Sequence, residues 1–225
     1  MQFLLLYSLI FCFGASLASG LFLCAQRLCD NQSVIFPRSH CSTCQHTLAW
    51  WQLLPVLNYP LLHGHCYYCN ATIPITAWVA EIIGGCLGLF TWLTTTSNQQ
   101  LLTMSILFAG LFLFSWIDIR QQLLFPILFI PWLLLMILLN PTTLFFSDAI
   151  FFAAGLGLFA YYSHGLGSGD VALLASLTLL HGVAASSHIL LFGCLLALIG
   201  YPVFKHRRLP FIPYLSCGVW LYYLI

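Results

Sequence analysis

Apolar runs follow one another along this chain with almost no charge between them. Stretches at 3–23, 76–96, 100–117, 122–140, 145–162, 170–185, 188–204 and 209–225 each approach the ~20 residues that a helix needs to cross a bilayer. In hydrocarbon every backbone polar group must be satisfied inside its own segment, so runs of this kind fold as helices. The expectation is an all-α polytopic membrane protein of about eight transmembrane helices. Only 5% of the 225 residues are charged, six Lys and Arg against five Asp and Glu, while 61% are hydrophobic. Soluble domains average roughly 25% charged residues, so a soluble enzyme is excluded. A net charge of +1 leaves no electrostatic footprint for nucleic acid, and the apolar content excludes disorder.

The first run is read as a permanent span. Ala15-Ser16-Leu17-Ala18 loosely resembles a signal cleavage site, but Met1-Gln2 supplies no basic n-region. With the N-terminus outside, the segments 24–75, 118–121, 163–169 and 205–208 face the cytoplasm. They contain Arg27, Arg38, Arg120, Lys205, Arg207 and Arg208, which are all six basic residues of the chain. The positive-inside rule asks for this distribution. Asp148 reads as a helix N-terminal acid placed near the positive end of the dipole.

The chain divides, on this reading, into a first helix (1–23), a cytoplasmic cysteine-bearing domain (24–75) and a seven-helix membrane domain (76–225). The segment 24–75 is more polar than its flanks and near the size at which a metal staple is commonly needed. Cys41-Ser-Thr-Cys44 and Cys66-Tyr-Tyr-Cys69 are paired CxxC knuckles. Such pairs place four thiolates at tetrahedral reach and suit a structural Zn²⁺ with no open coordination position. A reducing cytoplasm disfavours the disulfide alternative. His40, His46, His63 and His65 flank the pairs and read as surface histidines. Cys12, Cys24, Cys29, Cys86, Cys194 and Cys217 are scattered along apolar helices, where a thiol behaves as a small hydrophobe.

Acids inside a membrane protein are costly and need a reason. Asp118, in Ser115-Trp-Ile-Asp118-Ile-Arg120, closes the third helix, and Asp170, in Gly167-Ser-Gly169-Asp170, opens the sixth. The orientation above puts both at the cytoplasmic face. Two carboxylates in contact share one proton and can hold a water between them. One then deprotonates the water while the other polarises a peptide carbonyl, which is aspartic-protease chemistry. Gly167 and Gly169 would allow unusual backbone angles and close approach of an extended substrate. Taken singly, Asp118 also reads as an ion-pair partner of Arg120, and Asp170 as a helix N-terminal acid. Glu81, inside the second helix, can hydrogen-bond a polar group in the bundle or serve a second activity.

Taken together these residues resemble the bacterial type IV prepilin peptidases. Arg38-Ser-His-Cys-Ser-Thr-Cys44, Leu48-Ala-Trp-Trp51, Pro55, His65-Cys-Tyr-Tyr-Cys69 and Ile73-Pro74 are similar to that family's cytoplasmic zinc domain. Ile117-Asp118-Ile119-Arg120 and Gly167-Ser-Gly-Asp170 resemble its two aspartate motifs, and Glu81 falls where the family carries a Glu. The resemblance implies a multi-pass protein of the bacterial cytoplasmic (inner) membrane. It implies an aspartic endopeptidase that cuts a short basic leader after a Gly at the cytoplasmic face, from pilins or from secretion and competence pseudopilins. Bifunctional members also methylate the new N-terminal amine with S-adenosylmethionine. Asp118 and Asp170 would then be catalytic, Gly167, Gly169 and Arg120 would position substrate, and Glu81 would take a methyltransferase or bundle role. The chain departs from the pattern at Ala172, Pro126-Ile127 and Gly20-Leu-Phe-Leu-Cys24. Its short N-terminal form resembles the Gram-positive competence-type branch.

Two rivals share part of this pattern. A proton-coupled transporter would use Asp118, Asp170 and Glu81 as a relay. Transporters commonly show an internal repeat, and neither aspartate motif is duplicated here. A presenilin-type protease shares GxGD but sets its first Asp deep in a helix and lacks the cysteine domain.

Overall fold

The computed structural model describes residues 2–140, 144–163, 165–204 and 209–225. The basic residues Lys205, Arg207 and Arg208 lie outside this set. All regular structure among the described residues is helical, apart from two isolated bridges. Among the described residues, five helices are long and apolar enough to cross a membrane. The chain separates into two compact units, 1–105 and 106–225, with the boundary inside the helix Asn98–Gln121.

The first unit contains α1 (Gln2–Cys29), a short 3₁₀ turn (Trp50–Leu53), α2 (Asn58–Leu61) and α3 (Ile75–Thr94). Small residues let α1 and α3 touch backbone to backbone, which is how helices gain van der Waals energy where the hydrophobic effect is absent. Gly14 and Ala18 on α1 face Gly84 and Gly88 on α3. A Cβ on Gly84 would collide with the Cβ of Ala18 and lie 2.8 Å from the Gly14 carbonyl oxygen.

α1 runs to Cys29, beyond the expected end at 23. The added residues include Arg27. Its guanidinium donates to the carbonyls of Ser33 (3.3 Å), Val34 (3.1 Å) and Pro37 (2.6 Å), and the residue is only 6% exposed. The last turn thus carries a buried basic residue that fixes the segment after the helix.

The second unit holds the rest of α4 (Asn98–Gln121), then α5 (Pro126–Leu139), α6 (Phe146–Ser163), α7 (Ser168–Gly200) and α8 (Ile212–Leu224). Gln122, with φ 54°, ends α4 in the left-handed conformation, and its N–H returns to the Asp118 carbonyl at 2.9 Å. Pro126 opens α5 at a position where its missing N–H costs nothing. Phe114, Phe129 and Trp132 pack edge to face between α4 and α5.

α7 is one helix by outline but two by backbone. Gly182 takes φ 82° and ψ 169°, a conformation open in practice to glycine alone. The expected break between the sixth and seventh runs, at 186–187, therefore falls at Gly182. Asp148 and the start of α6 serve this break. The Phe145 N–H donates to the Leu179 carbonyl (2.9 Å), and Asp148 Oδ2 accepts from the Val183 N–H (3.4 Å). Asp148 lies in the first turn of α6, as its helix N-terminal reading expects, and it also caps the second half of α7.

Candidate active site and metal site

Two sites carry the chemistry, one in each unit. In the first, the cysteine domain is a duplicated knuckle. His40-Cys-x-x-Cys-Gln45-x-Thr47 and His65-Cys-x-x-Cys-Asn70-x-Thr72 fold alike. Single antiparallel bridges join His40 to Thr47 and His65 to Thr72. Gln45 and Asn70 both take φ 59°. Their N–H groups return to the Cys41 and Cys66 carbonyls, each at 2.9 Å. The histidines turn away from the thiols: Nδ1 of His40 donates to the Arg38 carbonyl (2.8 Å) and Nδ1 of His65 to the His63 carbonyl (2.7 Å). His46 lies against the Tyr68 ring, with centroids 3.7 Å apart.

The four Sγ atoms of Cys41, Cys44, Cys66 and Cys69 all lie within 4.8 Å of one another, and Cys41 and Cys69 are 3.8 Å apart. Tetrahedral Zn–S bonds of ~2.3 Å put sulfurs about 3.8 Å from each other, so the cage fits a metal ion of that class. N–H groups of Cys44 and then Thr43 stabilise the Cys41 thiolate and hold its pKa down to about 6. At Cys69 the Ala71 N–H acts in the same direction, but burial and the neighbouring thiols outweigh it and push the pKa up to about 11.

The second site is a cavity of about 400 Å³ in the second unit. Asp118, Asp170, Gly167, Gly169, Gln122 and Ile212 are among its lining residues. The last turn of α4 brings Asp118 there, 6% exposed. Asp118 Oδ2 accepts the Ile212 N–H at 3.0 Å. First-turn amides of a helix have no intrahelical partner, so the start of α8 supplies a donor aimed at this acid. Asp170 lies in the first turn of α7, and its Oδ2 accepts the Gly167 N–H at 3.2 Å. Both acids thus keep part of their carboxylate toward a shared cavity while a backbone N–H fixes the rest.

The glycines before Asp170 do not take the unusual backbone angles expected of them. Gly167 is extended (φ −74°, ψ 149°) and Gly169 is helical, angles that any residue adopts. What they provide is room. A Cβ on Gly169 would lie 2.9 Å from the Leu124 Cβ, and one on Gly167 would lie 3.1 Å from Asp170 Oδ2.

Arg120 is exposed at the end of α4. Glu81 belongs to the first unit, where Oε1 accepts from Ser19 Oγ (2.8 Å) and Oε2 from the Val56 N–H (2.7 Å). Sequence reasoning missed Ile212, Gln122 and Leu124 as cavity residues. Pro213, a first-turn proline, was the signal for the helix start that delivers the Ile212 amide.

Two acids on one cavity of a helical membrane protein are the arrangement that a membrane-embedded aspartic peptidase requires. Residues 12–95 match the Bacterial Peptidase A24 N-terminal domain, and residues 105–201 match the Type IV leader peptidase family. The chain is 28% identical over 231 residues to a protein of Bacillus subtilis (strain 168) named Prepilin leader peptidase/N-methyltransferase, covering 96% of this chain and 93% of that one. It is 30% identical to a protein of the same name from Pseudomonas putida, covering 85% and 73%. It is 32% identical to the Type 4 prepilin-like proteins leader peptide-processing enzyme of Escherichia coli O78:H11, covering 83% and 75%. No solved structure matches the chain. This chain belongs to the type IV leader peptidase family and is a multi-pass membrane protease.

Proposed function

We propose that the protein is an aspartic endopeptidase that removes the leader peptide of type IV prepilins or pseudopilins at the cytoplasmic face of the bacterial inner membrane. The observation that carries this reading is the shared cavity of Asp118 and Asp170, each with a backbone N–H on one carboxylate oxygen. In the proposed step, one ionised carboxylate takes a proton from a water between the pair. The other, protonated, donates a hydrogen bond to the scissile carbonyl, and the first then passes the water's proton to the leaving amine as the C–N bond breaks. Gly167 and Gly169 leave the cavity wall low beside Asp170, where an extended segment can approach. Arg120, exposed next to Asp118, is read as a substrate-positioning or headgroup-anchoring residue.

Zn²⁺ in the four-cysteine cage has a structural role in this proposal, closing two knuckles too small to fold on apolar burial alone. Cytoplasmic placement of the domain rests on the distribution of basic residues. Methylation with S-adenosylmethionine enters the proposal from the family resemblance and from relatives named N-methyltransferase. Glu81, the acid set aside for it, has both oxygens engaged by Ser19 and Val56 and is read as holding the fold.

The test is incubation of the purified protein in detergent with a candidate prepilin, with the product N-terminus read by mass spectrometry. The reading expects a single cut after the leader Gly, and an added methyl mass only when S-adenosylmethionine is supplied. No cleavage, together with proton flux in vesicles, moves the transporter reading ahead.

A further inference from the structure

The cysteine domain is unusual for a segment outside the spans. Between Arg38 and Glu81 there is no Asp, Glu, Lys or Arg. Within this stretch, residues 50–62 turn large apolar side chains outward: Trp50 is 78% exposed and Leu61 64%, with Leu53 and Leu57 also exposed. Such a surface in water is a liability.

The hydrogen bonds of Val56 say where this segment lies. Its N–H donates to Glu81 Oε2 at 2.7 Å, and its carbonyl accepts from Trp78 Nε1 at 2.9 Å. Tyr59 stacks on Trp78, with centroids 5.4 Å apart. Trp78 and Glu81 belong to the first two turns of α3, which is 20 residues long. A helix of that length spans about 30 Å, the full thickness of the hydrocarbon. Its first turns therefore cannot project into water, and a backbone bonded to them shares their depth. Irregular backbone at membrane depth must have its polar groups satisfied by protein. Val56, with φ 63°, has its N–H and carbonyl capped by two side chains of a spanning helix. This accounts for an acid at position 81.

We propose that residues 50–62 form an interfacial membrane element, with Trp50, Leu53, Leu57 and Leu61 seated in lipid at the boundary of headgroups and acyl chains. The partner is the bilayer itself. Trp is the residue favoured at this level, and apolar side chains on short irregular segments bind there through buried area. Because the segment has no charge, its attachment does not depend on anionic lipid or on salt.

The test uses the full-length protein in phosphatidylcholine vesicles. Trp50 emission is isolated as the difference between the native protein and Trp50→Phe. Bromine carried near the headgroup end of the acyl chain should quench more than half of that difference signal, and aqueous iodide should quench little. As a second measurement, a benzophenone photo-crosslinker at position 57 or 61 should give phospholipid adducts, and one at position 42, on the first knuckle, should not. Strong iodide quenching without bromolipid quenching would overturn the proposal. So would crosslinks from 57 and 61 to a prepilin or to a second copy of the chain in place of lipid.

Discussion

At the scale of single residues, acids do different work according to what faces them. Glu81 has two donors, one from α1 and one from the irregular segment ahead of α3. Glu81→Gln can still accept from the Val56 N–H and can donate its amide to Ser19 Oγ, so it should fold and cleave substrate much as the native protein does. Glu81→Ala leaves the Val56 N–H without a partner and should destabilise the first unit by about 1–3 kcal/mol. Thermal unfolding in detergent distinguishes the two, and equal midpoints for Gln and Ala would contradict the tether.

The thiols make a second residue-scale prediction. Metal-ligating cysteines must be thiolates. Cys41, held at about 6, is already ionised at neutral pH, whereas Cys69, pushed up to about 11, must lose a proton when metal binds. Zinc affinity should therefore rise with pH from neutrality upward, and binding at pH 7 should release protons. Below pH 6 Cys41 itself becomes protonated, and affinity should fall more steeply. Calorimetry in buffers of different ionisation enthalpy measures the release. A pH-independent affinity, or a stoichiometry far from one zinc per chain, would count against a four-thiolate site.

At the scale of elements, the contact of α1 with α3 rests on missing side chains. Gly84→Leu cannot be accommodated between Ala18 and the Gly14 carbonyl without separating the helices. It should lower the yield of folded protein and the thermal midpoint, whereas Gly20→Leu, with nothing within 4 Å of its Cβ position, should be silent. Size-exclusion and unfolding profiles check this pair. The elements also show what a sequence reveals. The apolar runs located every long helix, because length and hydrophobicity are one-dimensional properties. The break in α7 was displaced because an apolar run does not show where φ turns positive, although Gly182 was its marker. α1 was cut short because its apolar run ends at 23 while the helix continues through a more polar turn that carries Arg27, bonded to three carbonyls.

At the scale of the whole molecule, the chemistry was more legible than the geometry. Four cysteines at CxxC spacing and two aspartates at helix ends are visible by residue type alone. The Ile212 amide on Asp118 was not, since backbone donors carry no letter in the sequence. The knuckle duplication is legible in the matching His-Cys-x-x-Cys and Gln45/Asn70 positions, although the flanking histidines read only as surface residues. The orientation remains a proposal with its own test. In a protein retaining only the four cage cysteines, a thiol introduced at Asn98 should react with an impermeant reagent on intact cells and one at His206 should not. The reverse pattern would invert the topology.

The central claim is that Asp118 and Asp170 act as one catalytic unit, and prepilin processing by Asp118→Asn, Asp170→Asn and the double variant, at matched expression, tests it most directly. Asn keeps the size of Asp and can still accept the Ile212 or Gly167 N–H, but it cannot take a proton from water or share one with its partner. Each single variant should lose cleavage nearly as completely as the double, because effects within a catalytic unit are not additive. Robust cleavage by either Asn variant would contradict the aspartic mechanism.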